Sequence, residues 1–363
     1  MRVSITEVYN HSEGITAAEL VEKDTVLILC PEKFLIYDAE SLSCLKTHEF
    51  LKGQDLQKFA ISYKSELMIH LNSDRNIDIT STNDFKLLKT IEMESDIRDS
   101  INCLAVNFDG TLLAVATTKL TKAKKQKLVA EPEEEFDDAD VKLLVYDLAS
   151  YSLKFDLSDC HSDTINHVIF NPCNSNQLLS CSDDGLVSLN DLSSEIENED
   201  DRLIETFSAE DTIYRCSFLF STPNQTVPDA VAGFLSSKSV GVMVWPLSQV
   251  DWYATEIKPA GDPNQILDLR PMKDDTYLAL GHNTETNTLS LGKCTLSTSQ
   301  FQKIPVDIKS SIESAHFLSS DHHKLLIQTN DSVLVLSIED EESDTYNIMH
   351  DPVNKKAGSK RKF

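Results

Sequence analysis

The chain predicts an all-β fold, a seven-bladed β-propeller, on three observations. The first is the segment 164–192, TINHVIFNPCNSNQLLSCSDDGLVSLNDL. It reads strand, Asn171-Pro172 turn, strand, Asp183-Asp184-Gly185 turn, strand, which is the punctuation of one antiparallel sheet. The second is recurrence. Comparable third strands end near Tyr37, Ile79, Tyr146, Asn190, Trp245, Lys293 and Leu336, at gaps of 42, 67, 44, 55, 48 and 43 residues. A period in the forties indicates stacked sheets that bury their faces against one another. The third is the lack of long helical patterns: apolar residues alternate or run in short blocks.

Each unit supplies two middle strands. They are 25–30 with 33–37, 67–71 with 77–80, 111–117 with 141–146, and 177–182 with 186–190. Then come 230–234 with 240–245, 277–281 with 288–291, and 324–328 with 332–336. Closing the ring needs one more strand. Residues 2–8, RVSITEV, alternate and have no partner in the first unit. They are expected beside residues 333–338, where they remove an open edge. Residues 1–340 are therefore expected to form one propeller, with an insertion at 119–140 and an acidic loop at 193–202, followed by a disordered tail at 341–363.

The loops are where partner contacts are expected. The insertion at 119–140 begins with five lysines and continues with seven carboxylates. It lies between the second and third strands of its unit, on the face that also carries the connections between units, the top face. It reads either as a self-neutralising solvated loop or as a docking arm at the top rim. The acidic loop carries Glu195, Glu197, Glu199, Asp200 and Asp201. It joins a third strand to a fourth and so belongs to the opposite, bottom face. The loop 221–229 joins the first two strands of the next unit and lies on that same face. These neighbouring loops are the candidate partner-binding surface, against the plainer reading of two solvated loops. In the tail, Lys355, Lys356, Lys360, Arg361 and Lys362 form two basic clusters. They are a candidate nuclear-import signal, a generic basic tail, or a segment that folds back on the acidic body.

Composition narrows the partners. With 33 basic against 59 acidic side chains the net charge is −26, so direct nucleic-acid binding is opposed and a basic protein is favoured. No stretch approaches the roughly 20 apolar residues that span a bilayer, so no membrane contact is expected. Residues 1–14 have no apolar core of signal-peptide length. The eight cysteines lack CxxC spacing, and several sit in apolar strands as small hydrophobes do. That fits a reducing compartment, the nucleus and/or the cytoplasm. There is no glycine-rich phosphate loop, HExxH or GxSxG. Cys160, His161, His167, Cys173 and Cys181 look metal-like in one dimension, but they fall on different strands and turns with alternating faces. No metal and no cofactor are expected.

Residues 160–192 resemble a WD40 repeat. His161 stands in the GH-like position, and SCSDDGLVSLND stands for the usual SGSxDGxxxxWD. The resemblance covers roughly residues 2–338. It implies a WD40-type propeller acting as an interaction platform without enzymatic activity. It also implies a buried His–Ser/Thr–Asp–Trp network tying the loop before a blade to the turn between its middle strands. His161, Ser182 and Asp184 match the first three positions, and Asn190 replaces the tryptophan. Trp245 holds the tryptophan position of a later unit, with Pro246 after it. On this reading His161 and Asp184 are structural, not catalytic.

Three functions follow for comparison. The leading one is a non-catalytic scaffold or escort for another protein, with a basic nuclear or ribosomal client and a monomeric propeller within a complex. The second is a reader of a peptide or modified residue at the top-face channel, which needs an aromatic or acidic pocket. The third is a propeller hydrolase, which needs histidine and carboxylates converging from several blades.

Overall fold

Runs such as LLAVATT, residues 112–118, leave no polar face, so a strand built from them must be covered on both sides. A computed structural model shows how that is met. It describes residues 2–339, apart from 12–13, 23–24, 32, 39–40, 42, 50–57, 63, 73, 95–100, 120–139, 197, 221–224, 236–240, 248–254, 259–262, 272–275, 295–298, 305–307 and 319–323.

Seven four-stranded antiparallel sheets make up a seven-bladed propeller. Strand β1 (Arg2–Asn10) precedes blade 1, which holds β2 (Ala17–Glu22), β3 (Thr25–Leu29), β4 (Lys33–Asp38) and β5 (Ser43–Glu49). Blade 2 holds β6 (Phe59–Ser62), β7 (Leu67–Leu71), β8 (Ile77–Ser81) and β9 (Leu87–Ile91). Blade 3 holds β10 (Ile101–Val106), β11 (Leu112–Lys119), β12 (Asp140–Asp147) and β13 (Ser152–Asp156). Blade 4 holds β14 (Ile165–Asn171), β15 (Asn174–Ser182), β16 (Leu186–Asp191) and β17 (Leu203–Ser208). Blade 5 holds β18 (Ile213–Leu219), β19 (Ala230–Leu235), β20 (Val242–Pro246) and β21 (Thr255–Ile257). Blade 6 holds β22 (Gln265–Pro271), β23 (Tyr277–Asn283), β24 (Thr288–Cys294) and β25 (Ser299–Lys303). Blade 7 holds β26 (Ile312–Phe317), β27 (Lys324–Thr329) and β28 (Ser332–Glu339), and β1 completes it. The expected middle strands are all present. The third strand of blade 6 runs to Cys294, at the end expected near Lys293 and past the 288–291 core of the strand, because its last residues pair with both neighbours, Cys294 with Tyr277 and with Ser299.

The core is a ring of seven interfaces, one between each pair of adjacent blades. Strand alternation builds it. On β11, Leu112, Ala114 and Ala116 pack toward blade 4, while Leu113 and Val115 pack toward blade 2. On β15, Leu178 faces blade 3, and Leu179 and Cys181 face blade 5. First strands meet across blades around the axis, β6 with β10, β10 with β14, β14 with β18, and onward to β26. Among the described residues there is no helix long and apolar enough to cross a membrane.

Closure follows the expectation from residues 2–8. β1 pairs antiparallel with β28 from Arg2 opposite Glu339 to Asn10 opposite Ser332. Its Val8 and Tyr9 pack into the interface between blades 7 and 1. The Tyr9 ring lies 6.2 Å from that of Tyr37 in blade 1, and Lys33 Nζ sits 5.6 Å from its centroid. One strand therefore holds both ends of the ring. Deleting residues 2–10 should lower the melting temperature by several degrees, since each kcal/mol moves a protein of this size by about 1–2 °C and a lost closing strand costs several. A thermal melt checks it, and an unchanged melt would mean that blade 7 closes the ring without its fourth strand.

Candidate protein-binding face

Blade 4 carries the polar network expected around His161, with one correction. His161 Nδ1 lies 3.1 Å from Asp184 Oδ2, and its Nε2 lies 2.9 Å from the Ser180 hydroxyl, not that of Ser182. Ser182 sits two residues further on, where β15 enters its turn. Its hydroxyl donates to Asp163 O at 2.8 Å and accepts from Asp184 N. Only Ser180 lies deep enough in the strand to meet the far side of the ring. Asp184 Oδ2 also accepts from Ser162 N at 2.9 Å, so one carboxylate ties the inter-blade connection to the turn. Burial works against the Asp184 carboxylate, but His161 together with the Ser162 and Leu186 amides outweighs it and holds the group below the usual carboxylate range. Asn190, in the tryptophan position, is buried. Its Oδ1 accepts a weak bond from Cys160 Sγ at 3.6 Å, while its Nδ2 has no partner among the described residues. The network therefore stops one residue short.

The bottom face is built from turns between first and second strands, and these are linked from blade to blade. Ser62 Oγ donates to Phe108 O at 3.1 Å, and Lys64 Nζ lies 2.6 Å from Asp109 Oδ1. Ser175 Oγ donates to Asp109 Oδ2 at 2.6 Å, and Asn107 Nδ2 donates to Ser175 O at 3.1 Å. Cys173 Sγ reaches Gln225 O at 3.3 Å, and Gln225 Nε2 closes its own loop on Asp229 Oδ1 at 2.7 Å. Blades 2 to 5 are thereby joined along one arc. Two large apolar side chains stand out from it, Phe108 at 42% exposure and Val227 at 66%.

The acidic loop borders this arc and has a buried anchor. Arg202, 5% exposed, donates from Nη1 to Ser193 O at 3.0 Å and from Nη2 to Ile196 O at 2.6 Å. Its guanidinium lies 3.9 Å from the Phe155 ring centroid in blade 3. A planar, always-charged group that gathers carbonyls and stacks on an aromatic ring fixes the base of the loop. Glu195 and Asp201 are exposed on it. Glu199 and Asp200 lie in the short 3-10 turn Glu199–Arg202. Glu197, residues 120–139 of the insertion, residues 221–224 and the basic tail with Lys355, Lys356, Lys360, Arg361 and Lys362 lie outside the described residues. Lys119 and Asp140 pair at the end of β11 and β12, so the insertion does leave from the turn between second and third strands.

Around the axis, three first strands contribute a charged cluster that the sequence pattern did not reveal. Arg215 Nη2 lies 3.1 Å from Asp268 Oδ1, and Arg215 Nη1 donates to Leu267 O at 2.9 Å. His316 Nδ1 is 3.8 Å from Asp268 Oδ2, which accepts from Phe317 N at 2.9 Å. Arg270 Nη1 donates to Leu318 O at 3.1 Å. Blades 5, 6 and 7 are thus clamped together, and the Asp268 carboxylate is taken up by that clamp. Burial, helped by the Arg215 charge and resisted by Asp268, holds the His316 imidazole down to about 4. The other half of the axis forms a cavity of about 460 Å³ lined by first strands of blades 1 to 4, including Lys58, Phe59, Asn102, His167 and Phe170. The metal-like residues of blade 4 are dispersed: His161 meets Asp184, His167 meets Cys216, and Cys173 meets Gln225. Burial pushes the Cys103 thiol up to about 12 and that of Cys294 to about 11. Such thiols are poor nucleophiles. Arg202, Arg215 and Asp268 carried no sequence signal beyond being charged residues beside apolar runs.

A family model described as WD domain, G-beta repeat matches residues 152–191, from the start of β13 to the end of β16. The chain is also similar to WD repeat-containing protein 89 homolog of Dictyostelium discoideum, 25% identical over 156 residues, which is 42% of this chain and 34% of that protein. It therefore spans about a third of the length of this curated relative. The family model overlaps the WD40 resemblance read from His161, and the seven four-stranded sheets make the fold a WD40-type propeller.

Two outcomes follow. Arg202→Ala should free residues 193–201, at a cost of about 1–3 kcal/mol for the orphaned carbonyls and lost stacking. Hydrogen exchange should show faster amide exchange there and little change in blade 1. His316 should make the protein less stable in mild acid. Its folded value near 4 lies below the ordinary 6.5, so the unfolded chain binds the extra proton between those values. Its contribution is complete above about pH 6.5 and is lost as the pH falls toward 4. Asp184 loses its contribution only at lower pH, below the ordinary aspartate value. His70 and His282, also depressed by burial, act in the same direction as His316. Comparing His316→Gln with the parent across pH 7 to 4 isolates its share, and the variant should show the shallower decline.

Proposed function

We propose that this chain is a non-catalytic propeller that holds or escorts another protein on its bottom face, across blades 3 to 5. The observation that carries the reading is the linked arc of turns, which exposes Phe108 and Val227 on the same face as an acidic loop held at its base by Arg202. Exposed apolar side chains set in a polar surround are the form of a protein-binding site. The carboxylates of Glu195 and Asp201, on a chain of net charge −26, suit a basic client such as a nuclear or ribosomal protein. The basic clusters at 355–356 and 360–362 would serve import into the nucleus. WD40 propellers generally mediate protein–protein contacts.

The reader at the top-face channel draws less support. Phe59 and Phe170 line the axial cavity, but among the described residues no aspartate or glutamate does and Lys58 does, so its charge is the reverse of what a cationic modified residue would want. The hydrolase reading draws little, because Asp268 and His316 are engaged in the inter-blade clamp.

Affinity purification tests the proposal. The double variant Phe108→Asp and Val227→Asp should lose its specific partner while its melting temperature stays within a few degrees of the parent, because both side chains are exposed. Reversing Glu195 and Asp201 to lysine should weaken capture most at low salt, and the difference from the parent should shrink as salt rises. Retention of the same partner by the apolar double variant would remove the bottom face from the reading.

A further inference from the structure

Blades 2 and 3 part on the outer circumference to leave a groove of about 550 Å³. One wall is β9 with the segment after it, presenting Lys89, Glu92 and Glu94. The other wall is a sheet face of blade 3. Lys142, Leu144 and Tyr146 alternate along β12 onto that face. The register sets Asp156 opposite Leu144 and Leu153 opposite Tyr146. Tyr151 finishes the groove at the turn before β13. Strand β9 is the last strand of its sheet and pairs only with β8, so its outer row of amides and carbonyls borders the groove.

The two ends of the groove differ. At one end Lys89 Nζ lies 5.9 Å from the Tyr151 ring centroid, and half-exposed Leu153 lies between that end and Tyr146, which it faces across the strands. At the other, Glu94 and Asp156 both act on the Tyr146 phenol, which burial already holds above its ordinary range. The Tyr146 hydroxyl donates to Met93 Sδ at 3.8 Å, turning the ring edge inward. Glu92, Glu94 and Asp156 outnumber Lys142 there. An aromatic ring beside several carboxylates is a receptor for a cationic side chain.

We propose that this groove takes one extended segment of a partner protein, added as a fifth strand to blade 2 along β9. The segment places a lysine or arginine at the Glu94–Tyr146–Asp156 end and an apolar side chain on Leu153 and Tyr151. Strand addition supplies affinity through main-chain hydrogen bonds, and alternate side chains reading the blade 3 face supply specificity. The groove lies on the circumference, apart from the bottom-face arc, so the two sites can be occupied independently.

Fluorescence anisotropy on the full chain tests this, with labelled peptides of alternating threonine and valine as probes. One carries a central arginine, one a glutamate in its place, and one the arginine with N-methylated amides on the pairing edge. The arginine peptide should bind, and the glutamate and N-methylated forms should bind at least ten-fold more weakly. The double variant Glu92→Lys and Glu94→Lys, and separately Leu153→Asp, should each weaken the arginine peptide about ten-fold. All three positions are exposed, so circular dichroism should stay unchanged. The Phe108→Asp and Val227→Asp variant should bind the peptide as the parent does, which separates this site from the bottom face. Equal binding of the N-methylated and parent arginine peptides would mean that general negative charge captures them, and would overturn the proposal. So would binding of none of the peptides, or binding that all the groove variants leave intact.

Discussion

The burial of second strands on both faces is the constraint on which the rest of this structure depends. Strands such as β11 and β15 send alternate side chains into two different interfaces, so no blade can be stable by itself. Each sheet is covered only when both neighbours are present, and the last sheet has a neighbour only if the ring closes. The pairing of β1 with β28 meets that condition, and Tyr9 carries it over to blade 1. A strand separated from its partner by most of the chain thus determines whether seven local units become one cooperative body.

The offset between repeat and blade explains why such a strand exists. The WD-repeat match runs from β13 to β16, that is, from the last strand of blade 3 through the third strand of blade 4. A sequence unit one strand out of phase with the blade staples every sheet to the next. It also leaves the seventh sheet short of an outer strand, which β1 provides. Where the His–Ser–Asp network is missing, other polar groups take over between blades. Arg215 and Arg270 bond to carbonyls of the following blade, and Asn287 bonds to the carbonyls of Ile308 and Ser310 in the connection to blade 7. Buried polar groups need such partners, and a degenerate repeat can meet that need with different residues in different blades.

Interfaces between blades use most of the apolar surface, so the surface left over is informative. Phe108 and Val227 on the bottom face, and Leu153 beside the outer groove, are among the large apolar side chains left exposed. Each is carried by a turn or an edge strand held in place by the rigid ring. Recognition elements of this kind vary without disturbing the interfaces beneath them, which is how one architecture serves many partners.

The number of blades, the middle strands and the closing strand were legible from alternation, turn residues and spacing, because those are local properties of the chain. Asp184 and His161 were legible from the same motif, whereas Ser180 in place of Ser182 was not. Depth within a strand depends on where the His161 ring enters from the neighbouring connection. Arg202, Arg215, Asp268, Phe108 and the groove at Tyr146 were not legible at all. Their contacts in neighbouring blades, such as Phe155 for Arg202 and Asp268 for Arg215, are tens of residues away, and only the stacking of blades brings them together. The sequence by itself determined the repeat, the strand order and which loops share a face, since periodicity and turn chemistry act over a few residues. Only the tertiary structure decided which polar groups clamp the blades and which apolar side chains stay exposed, because burial is settled by the neighbouring sheet and not by the strand that carries the residue.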